Sequence, residues 1–81
     1  MPVELTLYYR NNCHLCEQMF AEINANFEGD LRVIMVDVDS EQSLRDRYSR
    51  IVPVLAYGDT VICQGRLDNA KLEDYLAQSQ P

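Results

Sequence analysis

Near the start of the chain Val3, Leu5 and Leu7 alternate with Glu4 and Thr6. This is the two-residue period of a strand with one face better buried than the other. The polar stretch Arg10-Asn11-Asn12 interrupts it. From Cys16 apolar side chains recur at helical spacing as Cys16, Met19, Phe20, Ile23 and Phe27, the stripe of an amphipathic helix. Gly29 is placed to stop that helix. Between Leu31 and Val38 the run Val33-Ile34-Met35-Val36 offers no polar position, which predicts a strand covered on both faces, interior or under helices. Asp39 or Ser40 then stands where a cap belongs, with Gln42 three residues after Asp39. Leu44, Tyr48 and Ile51 supply a thin stripe for a short second helix.

The remainder reads as strand, tight turn, strand, helix. Pro53 to Tyr57 and Thr60 to Cys63 flank Gly58-Asp59, a pair suited to the positive φ of hairpin turns. Gly65 breaks the chain again. Asp68 is a good N-cap for a last helix, with Leu67 and Leu72 spaced as a hydrophobic staple and Tyr75 and Leu76 continuing the stripe. The predicted order is β-α-β-α-β-β-α. Its first βαβ unit must be parallel and right-handed, and its last two strands form an antiparallel hairpin. The expected fold is therefore α/β, a mixed four-stranded sheet with helices on both faces. At 81 residues there is room for a single domain, residues 1–81, and one site.

Composition narrows the partners. Seven Lys and Arg stand against 13 Asp and Glu, a formal charge of -6, which repels phosphate backbones and argues against nucleic acid. No uninterrupted apolar run, Val33 to Val36 included, approaches the ~20 residues that span a bilayer. The N-terminus has Glu4 where a secretory signal needs a basic region. A soluble protein with a cytoplasmic address is the expectation.

Candidate chemistry lies in the cysteines. There are three, an odd number, and two are spaced as Cys13-His14-Leu15-Cys16, unlike a small secreted disulfide scaffold. The pair falls where a strand-exit loop meets a helix start, and residues at i and i+3 on a helix face each other, so a disulfide can close there. The first turn directs unpaired N–H groups and the positive end of the helix dipole at Cys13, favouring thiolate over thiol. Cys13 is expected to be exposed and anionic. Cys16, one turn in and part of the apolar stripe, is expected to stay protonated until it attacks a mixed disulfide. The competing reading makes both cysteines ligands of a zinc or iron–sulfur centre. A structural zinc site needs four protein ligands, and only Cys63 and His14 remain to complete it. Position behind one strand, at a helix start in a βαβ pattern, favours redox chemistry, with no metal ligands assigned. His14 either lowers the Cys13 pKa as an imidazolium or sits in the loop without effect. Cys63, ending an apolar strand, reads as a buried, inert thiol.

Three segments together resemble the active-site segments of glutaredoxins: Tyr9-Arg10-Asn11-Asn12-Cys13-His14-Leu15-Cys16, then Arg50-Ile51-Val52-Pro53, then Gln64-Gly65 before a helix. The chain looks closest to small bacterial glutaredoxin-like proteins that keep C-x-x-C without the usual proline and tyrosine. The resemblance covers nearly the whole chain and implies a thioredoxin-like fold. It implies a cis bond at Val52-Pro53, whose backbone pairs with the incoming thiol beside the nucleophile, and a carboxylate-binding role for Arg10 and Arg50. Independently of the resemblance, Arg10, Arg50 and Arg66 each fall in one of the three loops expected to converge, either as a local anion site or as ordinary solvated loops. Three positions depart from the family pattern. Ile51 replaces a threonine, Gln64 replaces the first glycine of a pair, and Leu67 stands where an aspartate would hold the γ-glutamyl end of glutathione. Asp68 or the amino end of the last helix would have to substitute.

The resulting expectation is a monomeric thiol-disulfide oxidoreductase with Cys13 as nucleophile and Cys16 as resolving thiol. Substrate contacts are expected from Arg10, Arg50, Val52, Pro53, Gly65 and Asp68. It binds no cofactor, takes glutathione as co-substrate, acts on disulfide-containing or glutathionylated proteins, and is recycled by glutathione or a reductase. The alternatives are a metal or iron–sulfur module on the same thiolates and a redox-silent interaction domain.

Overall fold

The computed structural model describes residues 3–27, 29 and 31–79. The elements run β1 (Val3–Tyr9), α1 (His14–Asn26), β2 (Leu31–Asp37), a single 3-10 turn (Val38–Ser40), α2 (Gln42–Tyr48), β3 (Val54–Tyr57), β4 (Thr60–Gln64) and α3 (Asn69–Ser79). The four strands form one sheet in the order β2-β1-β3-β4. β1 and β2 are parallel, whereas β3 is antiparallel to both β1 and β4. This is the predicted βαβ unit followed by a hairpin, in a mixed sheet of the thioredoxin-like kind.

Alternation along the strands sends side chains to two cores. On one face Leu5, Leu7 and Leu55 meet Met19, Ile23 and Phe27 at α1, and Leu72 and Leu76 from α3. On the other, Val54 packs with Val38 and Tyr48 under the 3-10 turn and α2, flanked by Tyr8, Leu44, Ile51 and Val52. Tyr8 stacks on Tyr48 with ring centroids 4.3 Å apart, and the Arg47 guanidinium lies over the Tyr48 ring, 5.2 Å from its centroid.

Local signals account for most boundaries. Asn26 ends α1, the Phe27 N–H still donates to the Ile23 carbonyl at 2.9 Å, and Gly29 takes φ +87° beyond it. Gly58 turns the β3–β4 hairpin at φ +57°, where a side chain would be strained. The Asp68 carboxylate accepts from the Lys71 N–H at 3.0 Å, capping α3, while Leu67 and Leu72 join the larger core as the predicted staple. In β4 the register slips between Leu55↔Cys63 and Ala56↔Val61. That bulge resets the alternation, so the adjacent Ile62 and Cys63 both enter the larger core.

Two expectations are corrected. β2 is an edge strand, not an interior one, and Ile34 and Met35 are 41% and 40% exposed. A fully apolar run shows that a strand can be buried on both faces, but neighbours decide it, and β2 has only β1 beside it among the described residues. The cap is also displaced. Asp37, not Asp39 or Ser40, accepts from the Asp39 N–H at 2.9 Å and caps the 3-10 turn. α2 starts at Gln42 after Glu41, with no side-chain cap. An Asx-type bond two residues on tightens the chain into a separate turn before the helix. Among the described residues no helix is long and apolar enough to cross a membrane.

Candidate functional site: the rim at the amino end of the first helix

Strand register gathers the site. Parallel pairing up to Tyr9↔Asp37 brings the carboxyl ends of β1 and β2 to one rim. Antiparallel pairing of Tyr8↔Val54 and Val54↔Gln64 brings the start of β3 and the end of β4 to the same rim. The Gly65 N–H donates to the Pro53 carbonyl at 2.8 Å, joining two of the loops directly. Segments 10–13, 49–53 and 65–68, which lie far apart in sequence, are thus neighbours at one end of the sheet.

Cys13 is the N-cap of α1. It has extended backbone and its sulfur accepts from the Cys16 N–H at 3.2 Å. Asn12, at φ +60°, makes the turn that delivers it; asparagine tolerates this left-handed region better than most side chains. Cys13 and Cys16 are joined by a disulfide with their Cα atoms 5.2 Å apart. Cys13 is half-buried rather than exposed in this disulfide state, because its sulfur turns in toward the helix, while Cys16 is buried. The two sulfurs therefore differ in accessibility and in proximity to the helix end. His14, the first helical residue, is exposed.

The Val52–Pro53 peptide bond is cis. Pro53 is buried and Val52 half-buried. Gly65 has φ +76°, and Asp68 is exposed as the cap of α3. The arginines do not form one cluster. Arg10 Nε donates to Asp39 Oδ2 at 3.1 Å, and the other Asp39 oxygen faces Arg45 Nε at 3.4 Å. Arg10 lines a cleft of about 180 Å³ with Cys16, Phe20 and Met35. Arg66 lines another of about 240 Å³, with Leu15, Gln18 and Glu22, against the opposite side of α1. Arg50 is exposed just after α2.

Sequence reasoning missed Asp39 as the partner of Arg10. The two are 29 residues apart, and the parallel alignment of β1 with β2 is what brings them together. It also missed the Phe20–Met35 cleft, whose signal was the apolar run in β2 read as buried. Cys63 lies in the larger core, and burial pushes its thiol pKa up. Tyr8 is likewise shifted up, by burial first and then by the neighbouring Tyr48. Among the described residues no group of three or more His, Cys, Asp or Glu side chains is gathered as metal ligands.

A mixed sheet between helices, with a C-x-x-C disulfide at the amino end of the first helix, defines a dithiol protein of the thioredoxin-fold class. The family model described as "Glutaredoxin-like domain (DUF836)" matches residues 4–77, and the chain belongs to that family. No match is found among curated proteins. A solved structure described as "Structure of a malarial protein" is similar over 100% of both chains, with a TM-score of 0.56 and 15% identity, a likeness of fold alone.

Proposed function

We propose that the protein is a thiol-disulfide oxidoreductase that reduces protein disulfides or glutathione mixed disulfides with the Cys13/Cys16 dithiol. The observation that carries this reading is the asymmetry of the pair. Cys13 sits on the N-cap, where the Cys16 N–H meets its sulfur, and Cys16 is buried one turn in. The same N–H and the helix dipole favour negative charge on a reduced Cys13. The Cys13 thiolate attacks one sulfur of the substrate disulfide, forms a mixed disulfide and releases the other sulfur as thiolate. Cys16, giving up its proton, then attacks the Cys13 sulfur. The substrate leaves carrying two thiols, and the Cys13–Cys16 disulfide keeps the oxidation. Two electrons from two glutathione molecules, or from a reductase dithiol, restore the starting state.

In this reading Arg10, Arg50, Gly65 and Asp68, carried by the loops at this rim, supply substrate contacts together with the Val52–Pro53 backbone. The enzyme works as a monomer in the reducing cytoplasm, where such a dithiol is kept reduced. Single variants test the division of labour. Cys13→Ser is expected to abolish all exchange, because a serine hydroxyl is not ionised near neutral pH. Cys16→Ser is expected to retain attack and to accumulate a mixed disulfide detectable by mass. Activity retained without Cys13, or faster alkylation at Cys16, overturns the assignment and returns the pair to metal binding.

A further inference from the structure

The cleft on the disulfide side of α1 is predominantly apolar, with Asn11 and Asn12 among the polar groups at its edge. Its walls include Phe20 from α1 and Met35 from β2, and it reaches Cys16. Phe20 and Met35 are 36% and 40% exposed, large apolar side chains left accessible on two different elements that meet here. Cys16 and Phe20 lie one turn apart on the same side of α1, and Cys13 lies one turn before Cys16. A substrate chain bonded to Cys13 therefore has this cleft beside it.

The charges around the cleft disfavour an anionic occupant. Arg10 is the only Lys or Arg in its lining, and Glu17 lies in the same lining. The Nε edge of Arg10, one of the two edges that can grip a carboxylate through paired N–H groups, is taken by Asp39. Asp39 is itself held from the other side by Arg45, whose Nη2 also donates to the Asp39 carbonyl at 3.3 Å. The net charge of -6 adds a general repulsion of anions.

We propose that Asp39 sets the substrate preference of this dithiol. By holding Arg10 it leaves the Phe20–Met35 cleft as the recognition surface, favouring protein disulfides with an uncharged apolar side chain beside the cysteine over anionic glutathione mixed disulfides. The proposal rests on the dithiol reading above and uses the same balanced exchange. Asp39 is a positioning residue, acting through Arg10.

The test compares kcat/KM for two substrates built on one leucine-flanked cysteine peptide, its symmetrical disulfide and its mixed disulfide with glutathione. The wild-type protein is expected to prefer the symmetrical peptide disulfide. Asp39→Asn is expected to lower KM for the glutathione form about threefold, the scale of one exposed charge contact, with the gain lost at high salt. Arg10→Ala in the Asp39→Asn background is expected to erase that gain. Phe20→Ser is expected to raise KM for the peptide disulfide by roughly fivefold or more through lost apolar contact, lowering the preference ratio from the other side. A wild-type preference for the glutathione form overturns the proposal, as does an Asp39→Asn change equal for both substrates or a gain that survives Arg10→Ala. Failure of the dithiol reading is separately visible, since the wild-type protein would then turn over neither substrate.

Discussion

The two faces of the sheet are built on different scales. Among the described residues ten buried side chains fill the face under α1 and α3, against three under the 3-10 turn and α2. Yet the thinner face carries Val52, and the backbone carbonyl of Tyr48 accepts the N–H groups of Ile51 and Val52 at 3.0 and 3.1 Å. The thicker face holds α1 and, with it, the disulfide. The cysteines are thus anchored to the part of the molecule with the most apolar burial. The 49–53 loop rests on a small cluster and a tyrosine stack. Under the proposed function this places the nucleophile on the firmer support and the loop proposed to meet the substrate on the lighter one.

Leu55→Ala tests this comparison most severely. Leu55 is fully buried in the larger core, and the truncation is expected to cost about 2–5 kcal/mol, a large share of the stability of a small domain. Denaturant unfolding followed by circular dichroism would read it. Val54→Ala, at the adjacent position but on the other face, is expected to cost about 1.5 kcal/mol at ~0.8 kcal/mol per methylene-sized group. A larger loss per deleted carbon at Val54 than at Leu55 would reverse the ranking of the two faces.

Asp68→Ala is expected to cost about 1 kcal/mol through the lost cap of α3. Amide exchange should then quicken in the first turn of α3 more than in β1. Uniform quickening throughout the chain would mean that α3 and the sheet open together rather than in parts.

The smallest effect expected is alkaline. Burial raises the folded-state pKa of Cys63, in the larger core, and of Tyr8, beside the smaller one. Each folded state holds its proton more tightly than the unfolded chain, so the associated stability is fully present below the unfolded pKa. It is lost as pH rises through the folded value. For Cys63 the loss begins above about pH 9, and for Tyr8 above about pH 10. Cys63→Ala should remove the first part of the decline and Tyr8→Phe the second, in melts recorded across alkaline pH. An unchanged pH profile in both variants would show that neither group governs it.

Much of this fold was legible because it depends on short-range chemistry. The alternation of Val3, Leu5 and Leu7, the helical stripe from Cys16 to Phe27, the turn at Gly58 and the cap at Asp68 each act within a few residues, and the structure keeps them, except that Phe20 of that stripe is exposed. The same holds for Cys13 and Cys16, since a three-residue spacing at a helix start brings two sulfurs together whatever lies beyond.

Where the structure departs from these patterns, the deciding partner is distant in sequence for the strand and for Arg10, and local only for the cap, which Asp37 takes two residues before Asp39. The apolar run from Val33 to Val36 was compatible with an interior strand, but strand order left β2 at an edge and Met35 in an open cleft. Asp39 was a plausible helix cap until Asp37 took the capping role and the alignment of β1 with β2 placed Arg10 against it. Arg10 and Arg66 were both in loops at the correct rim, yet α1 stands between their clefts.

Element order, the α/β class and the dithiol at the head of the first helix follow from the order of the amino acids alone, because periodicity, capping and i-to-i+3 geometry are local properties of the chain. Which strand is an edge, which carboxylate neutralises Arg10 and which apolar side chains remain open beside the sulfurs are settled when the chain packs. Those outcomes depend on strand order and on pairings between residues tens of positions apart, to which a residue's near neighbours contribute nothing.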